Sequence, residues 1–491
     1  MTISPLPLSR PSEQGVDAHG IGRFVDAVEG SSAQSLHSLM IVRHGCVVAA
    51  AWWEPYAADR RQLLYSLSKS FTATALGVAL GQGLVCLDDP VLAYFPEWDS
   101  EVDARVGRIL VRHVASMASG HTEDMWLAAL TADSADPVRG FLHLPPAREP
   151  GSVFAYNQPA THTLATILQR ATGQTLTQYL HQHVLGPLGA EDVNWVQYPA
   201  GQDIGFTGLH ATTATVALLG QLYLQRGRWH DQQLLSQQWV AEATSGRVPT
   251  SPRVDLTEGA PRPDWEQGYG YQFWVSRHGY RGDGAYGQFC LVLPDQDAVV
   301  AITSESLDTQ ELLGAAWEHL LPAFSPTHPL DGAADRQLAD RLSSLAVPSF
   351  EAAAQPGTGA ARWADVVFSP ATGQCLQQPS LLQVKVSADD GAWRLSLQEA
   401  EHALTGRFTA GTWTVDEVQI APGEVVPIAC TGGWTGPARL RVDVIFLETP
   451  HRLVLTCRLE DLSFDARWAT VPLHAASLSH LRAPRPVGAA A

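Results

Sequence analysis

Lysine is almost absent from this 491-residue chain. Lys69 and Lys385 are its two examples, and the other 30 of its 32 basic residues are arginines. Positive charge is scarce overall, because 50 acidic residues leave a formal net charge of −18. No basic run offsets that excess, which excludes nucleic acid and anionic membrane as expected partners. Long apolar runs are missing as well: the longest, residues 46–53, falls far short of the roughly 20 that a membrane helix needs. Cysteine is sparse. Cys46, Cys86, Cys290, Cys375, Cys430 and Cys457 lie far apart with no C-x-x-C pair, so free buried thiols are expected rather than disulfides or a metal site. The first ten residues lack a basic start followed by an apolar stretch, so no export signal is read there and a cytoplasmic setting is expected.

What is present is a 45% hydrophobic composition, ample for a core, spread over a length that suits two or three domains. Residues 37–53 read as a hairpin around His44-Gly45. A helix is expected from Ser68, with Phe71, Ala75, Leu76, Ala79 and Leu80 at helical spacing and Gly81 and Gly83 to end it. Further helices are expected over 161–171, 176–184, 212–225, 232–243 and 311–321. Strands are expected over 269–274, 289–293 and 298–302. Helices enclosed between early and late strands predict an α/β (α+β) architecture, an antiparallel sheet with an inserted helical subdomain. After residue 325 a linker with one short helix (326–360) is expected. An antiparallel all-β domain (361–480) and a frayed tail (481–491) follow it, with strands near 382–386, 393–397, 440–446 and 452–458. Covering a sheet edge, narrowing a site entrance and homodimerisation are all open roles for that domain.

The chemistry concentrates at Ser66 and Lys69, at the start of the first long helix. Residues three apart share a helix face, so the hydroxyl and the amine can meet. A serine hydroxyl is a weak nucleophile until a base takes its proton, and a buried lysine can serve because desolvation lowers its pKa. Chance places a Ser three before a given Lys roughly one time in fourteen, and a helix-capping serine beside a solvated lysine would look the same. The near-absence of lysine tips the balance: the chain prefers arginine elsewhere, and arginine at 69 could not act as a base. Lys385 has no such context and is expected on the surface. The pair His181 and His183 lies i, i+2 on a helix, on different faces, so no metal site is read there.

Ser66-Leu-Ser-Lys69-Ser-Phe resembles the first motif of the serine beta-lactamase and penicillin-binding-protein superfamily, most closely its class C-type and esterase branch. The stretch from Pro150 through Tyr156-Asn157-Gln158 resembles the second-motif region. Residues 208–213 and 222–229 also follow the family pattern, and Gly282-Asp283-Gly284 lies where the third motif belongs; the likeness spans about residues 12–322. It implies Ser66 as acylated nucleophile, Lys69 as its base or proton relay, and Tyr156 as a second general base whose phenol Lys69 would have to acidify. It also implies an oxyanion hole from the Ser66 and Ala285 amides, on the helix start and an edge strand, with Gly284 beside it. No metal or organic cofactor is implied.

Two positions depart from the family pattern. The usual Tyr-x-Asn is Tyr-x-Gln here, leaving open whether Asn157 or Gln158 presents the amide. The usual third-motif cation is Gly282, and Asp283 would repel a beta-lactam carboxylate if it faced the pocket. The expected activity is therefore hydrolysis of a small ester or amide through a Ser66 acyl-enzyme. D-peptidase or beta-lactamase activity, or a non-catalytic ligand-binding sensor, are the alternatives. Trp265, Tyr269, Tyr271 and Trp274 could wall an acyl pocket or simply pack in the core. Specificity is expected to lie in loops 121–145 and 245–265.

Overall fold

The computed structural model of the chain describes residues 4–190, 193–250, 263–351, 361–389, 392–474 and 477–484. The N-terminal helix α1 (Ala18–Glu29) is capped by Asp17, whose carboxylate accepts the His19 amide at 3.0 Å. It buries Ile21, Phe24, Val25 and Val28, an i, i+3, i+4, i+7 stripe. The hairpin expected near 37–53 is β1 (Leu36–Arg43) and β2 (Cys46–Trp52). Helix α2 (Ser68–Gly81) follows, then, after short helices and loops, α3 (Gln158–Thr172) and α4 (Thr213–Leu224). Strands β3 (Trp274–Val275), β4 (Tyr280–Gly284), β5 (Gln288–Leu293) and β6 (Ala298–Ser304) complete an antiparallel six-stranded sheet in the order β2-β1-β6-β5-β4-β3. Its central strands are buried at every position because helices cover both faces. On one face lie α2, α4 and the helical subdomain, and on the other α1 and the helix that begins at Thr309. Helix α2 is buried on all sides from Ser68 to Ala79, so it runs through the core rather than along the surface.

Two expected elements differ. Residues 232–243 do not form one helix: Gln232–Gln233 pairs with Arg228–Trp229 in a small hairpin, and the helix starts at Gln237, where Ser236 Oγ accepts the Trp239 amide at 3.1 Å. Residues 269–274 make a tight turn, with the Gly270 amide donating to the Phe273 carbonyl at 2.8 Å and Gln272 at φ +63°. A Cβ on Gly270 would stand 2.0 Å from the Ala243 carbonyl oxygen, so the aromatic run folds back against a helix end instead of extending.

The helix expected within 326–360 is α5 (Gly332–Leu342). It packs through Leu338 and Leu342 onto the first domain's core, while the Glu54 amide donates to the Leu345 carbonyl at 3.0 Å. Beyond it lie β7 (Val366–Pro370), β8 (Gln383–Asp389), β9 (Ala392–Gln398), β10 (Ala403–Phe408), β11 (Thr414–Ala421), β12 (Glu424–Gly436), β13 (Arg439–Phe446), β14 (His451–Arg458) and β15 (Ser463–Trp468). They form a separate, nearly closed nine-stranded sheet, β10-β9-β8-β7-β15-β14-β13-β12-β11, in which only β7 and β15 pair in parallel. Alternation along β13 sorts its two sides: Val444 and Phe446 fill the interior of this sheet, whereas Ile445 and the following Leu447 pack against the first domain. Leu481 and Ala483, expected in a frayed tail, are buried, and Arg482 pairs with Glu424 at 2.8 Å. The rest of that tail, 485–491, lies outside the described residues.

The six cysteines are unpaired, but Cys86 is exposed and Cys46 only half-buried, so the expectation of burial holds for the other four. Lys385 is half-exposed and meets Asp365 at 3.0 Å. Among the described residues no helix is long and apolar enough to cross a membrane.

Candidate active site

Ser66 occupies the single 3₁₀ turn Tyr65–Leu67 that leads into α2. One helical turn on, Lys69 is 1% exposed, and its Nζ donates to Ser66 Oγ at 3.1 Å and to the Phe206 carbonyl at 2.8 Å. The segment supplying that carbonyl is strapped along α2: Thr72 Oγ1 donates to the Gly205 carbonyl at 2.8 Å, and Ser68 Oγ accepts the Leu209 amide at 3.0 Å. Burial pulls the Lys69 pKa down to about 7, although the charges of Asp124 and Asp283 oppose the shift. The amine also lies 4.7 Å from the Tyr156 ring centre and 5.6 Å from that of Phe206.

Tyr156 reaches the same point from the loop before α3, and its hydroxyl shares a hydrogen bond with Ser66. Its ring stacks on Trp274 at 5.6 Å and meets Tyr269 edge-on at 6.1 Å. The expected acidification of this phenol is absent. Burial pushes its pKa above the ordinary value, and the hydrogen bond from Ser66 and the charge of Arg281 offset only part of that. The site thus holds a lysine made easy to deprotonate beside a phenol that keeps its proton.

Asn157 is fully buried and turned away, its Oδ1 accepting the Met125 amide at 2.9 Å and its Nδ2 3.5 Å from Ser119 Oγ. Gln158 opens α3, its amide donating to Asp124 Oδ1 at 3.0 Å, and its own Oε1 is buried without a partner. Gln158 is therefore the amide left uncommitted.

In the third-motif region, a Cβ on Gly282 would stand 2.3 Å from Leu67 Cδ1 and 2.9 Å from Ser70 Oγ. Any side chain there requires Leu67 and Ser70 to shift. Asp283, whose charge would repel a carboxylate if it faced the pocket, is paired: Arg281 Nε donates to it at 2.8 Å, and Trp265 adds a hydrogen bond. Arg281 is itself fully buried, 4.6 Å from the Trp265 ring centre. A Cβ on Gly284 would lie 2.2 Å from the Leu64 carbonyl oxygen and 3.2 Å from the Leu67 amide, so the end of β4 rests directly against the Ser66 turn and delivers Ala285 beside it. That strand is not strictly an edge, since β3 pairs with its first two residues, but Gly282–Gly284 runs on past β3.

Of the four candidate aromatics, Tyr269 and Trp274 back Tyr156 and Trp265 backs Arg281. Tyr271 instead stacks on Trp239 at 5.5 Å, within the core. A cavity of about 450 Å³ adjoins the Ser66 turn, lined on one side by Tyr65, Trp126, Tyr198 and Phe206 and on the other by His451 and His474. Trp126 comes from the expected 121–145 segment; most of the other, 251–262 of 245–265, lies outside the described residues. Sequence reasoning missed Asp124, Arg281, the Phe206 carbonyl and the two C-terminal histidines. Only Arg281, within the motif region, carried any local signal.

A family profile, Beta-lactamase, matches residues 26–323, the stretch that contains the serine–lysine pair and the strand end beside it. The chain belongs to the beta-lactamase family. Among its relatives is the 6-aminohexanoate-dimer hydrolase of Paenarthrobacter ureafaciens, 25% identical over 316 residues, covering 61% of this chain and 80% of that protein. The D-aminopeptidase of Brucella anthropi is 29% identical over 170 residues, 30% of each chain. A solved structure from Bacillus anthracis, assigned as a 6-aminohexanoate-dimer hydrolase, superposes with a TM-score of 0.52 at 19% identity, covering 65% of this chain and 87% of that one. The profile match, which ends at residue 323, places the beta-lactamase fold in the first domain.

Proposed function

We propose that this beta-lactamase-family protein is a serine hydrolase that cleaves a small ester or amide through an acyl-enzyme on Ser66. One observation carries the reading: a fully buried lysine, lowered to about pKa 7, stands 3.1 Å from a serine hydroxyl at a helix start. Neutral Lys69 takes the Ser66 proton as Oγ attacks the substrate carbonyl. The Ser66 and Ala285 amides hold the oxyanion, aided by the positive end of α2. The proton then passes from Lys69, through the protonated Tyr156 hydroxyl, to the leaving alcohol or amine. Water hydrolyses the ester on Ser66 by the reverse path, and the acid product leaves. In this reading Tyr156 is a proton relay rather than a phenolate base, and Gln158 is the amide available to a substrate.

The glycine at 282, closely packed by the Leu67 and Ser70 side chains, argues against the cation that would hold a beta-lactam carboxylate. The names of the two curated relatives favour an amide or peptide bond as the target. Six unpaired cysteines fit a reducing, cytoplasmic setting. The test is labelling by a fluorophosphonate probe, expected in the wild type and lost in Ser66→Ala. Rates on p-nitrophenyl butyrate, on an aminoacyl p-nitroanilide and on a chromogenic cephalosporin then separate esterase, amidase and lactamase. A wild type that never labels would sink the enzyme reading.

A further inference from the structure

Two tyrosines bracket the amides assigned to the oxyanion: Tyr65 precedes Ser66, and Tyr286 follows Ala285. Both have left-handed backbone, with φ +46° and +64°. A bulky aromatic residue holds such a conformation only where its surroundings impose it. Here the C-terminal domain supplies those surroundings. The Tyr65 hydroxyl donates to His451 Nε2 at 2.6 Å, and the Tyr286 hydroxyl donates to the Val471 carbonyl. His451 Nδ1 lies 3.0 Å from the Thr470 carbonyl, which fixes the proton on Nδ1 and leaves the Nε2 lone pair for Tyr65. The three rings form one cluster: Tyr65 to Tyr286 at 5.8 Å, Tyr65 to His451 at 5.8 Å and Tyr286 to His451 at 5.7 Å, all edge-on. His451 is 1% exposed. The neighbouring Arg452 ion-pairs with Glu305 at 3.1 Å, and the Ser306 amide donates to the Tyr286 carbonyl at 2.9 Å, so the cluster is tied to the end of β6 as well.

We propose that His451 is a positioning residue, through which the C-terminal domain holds the Ser66 and Ala285 amides in place to receive the oxyanion. The Ser66 N–H belongs to the peptide plane joining it to Tyr65, and that plane turns with Tyr65 ψ. Fixing the Tyr65 ring therefore aims the Ser66 amide. Ala285 is held between the β4 ladder and the anchored Tyr286. The domain contact does not need these tyrosines for adhesion, since Ile445 and Leu447 pack into the first domain's core and Arg60 pairs with Glu417 at 2.8 Å. The proposal rests on the reading of Ser66 as nucleophile with Ala285 in the oxyanion hole.

The full-length protein carrying Tyr65→Phe, His451→Leu, His451→Gln, or Tyr65→Phe with His451→Leu tests this, with p-nitrophenyl butyrate as substrate. Phenylboronic acid, whose boron becomes tetrahedral on Ser66 Oγ, reports the oxyanion hole directly. Tyr65→Phe and His451→Leu should each lower kcat ten- to a hundred-fold with KM within two-fold, and weaken phenylboronic acid by a similar factor. Competitive inhibition by butyrate, which makes no tetrahedral adduct, should not move. His451→Gln, whose amide oxygen can still accept from Tyr65, should recover to within about three-fold of wild type. The double variant should be no worse than the weaker single one, because both break the same bond. Tyr65→Phe deletes one hydroxyl and carries the test if His451→Leu fails to fold. An unchanged kcat in Tyr65→Phe, or a loss confined to KM, would overturn the positioning role while fluorophosphonate labelling of Ser66 left the functional reading standing. A wild type that fails to label overturns both.

Discussion

If Lys69 is the base, the rate at which Ser66 is acylated must follow the neutral fraction of that lysine. With its pKa drawn down to about 7, about half is neutral at pH 7, about one tenth at pH 6 and about one hundredth at pH 5. The second-order rate of fluorophosphonate labelling, read from intact mass at short times, should therefore rise with unit slope from pH 5 and level off above pH 8. The total gain is about a hundred-fold. Two variants locate the cause. Lys69→Arg keeps the charge but cannot deprotonate, and should lower the rate by roughly 10²–10⁴ and abolish this limb. Asp124→Asn keeps the oxygen that accepts the Gln158 amide but removes a charge favouring protonated Lys69, so the inflection should move to lower pH. A flat profile from pH 5 to 9, or Lys69→Arg labelling within three-fold of wild type, would refute the assignment.

Three further outcomes follow from the same geometry. Tyr156→Phe should reduce turnover by about a hundred-fold while leaving the thermal midpoint nearly unchanged, because the ring contacts with Trp274 and Tyr269 survive and only the relay hydroxyl goes. Gly282→Ala should cost about 1–3 kcal/mol in urea unfolding, since its methyl overlaps Leu67; a loss under 0.5 kcal/mol would mean the strand can shift. Lys69 should weaken the fold near neutral pH, because the unfolded side chain keeps its proton to about 10.4 and the folded one releases it near 7. Between those values the unfolded chain binds more protons, so stability rises with pH. Lys69→Met should remove that penalty, raising stability on the order of 2–4 kcal/mol at pH 7 and flattening its dependence between pH 7 and 10. Unchanged or lower stability would show that the amine's bonds to Ser66 and Phe206 outweigh its desolvation.

The serine–lysine pair was legible because residues three apart on a helix meet whatever the tertiary fold, and because lysine is rare in this chain. The hairpin, the central helix and several strands of the second domain announced themselves by turn residues and by period. Other features depended on contacts from distant segments. The aromatic run 269–274 looks extended in isolation, but the fit of Gly270 against the end of a helix bends it. The environment of Tyr156 was misjudged because the nearness of a cation can be guessed from motif spacing, whereas the depth of burial that outweighs it cannot. Asp283 looked like a free charge beside a missing cation until Arg281, two residues away on the same side of the strand, was seen to hold it. The Phe206 carbonyl and His451 lie 137 and 382 residues from Lys69, beyond any local pattern. The third-motif glycine is likewise explained by Leu67 across the groove, not by its own neighbours.

The most direct measurement is rapid-quench mass spectrometry of the wild type during turnover of p-nitrophenyl butyrate, with peptide mapping of any adduct. A transient butyryl ester on Ser66 is expected, formed more slowly below pH 7 and absent from Ser66→Ala. Turnover that proceeds with Ser66 unmodified, or an acyl group that maps to another residue and persists in Ser66→Ala, would contradict it.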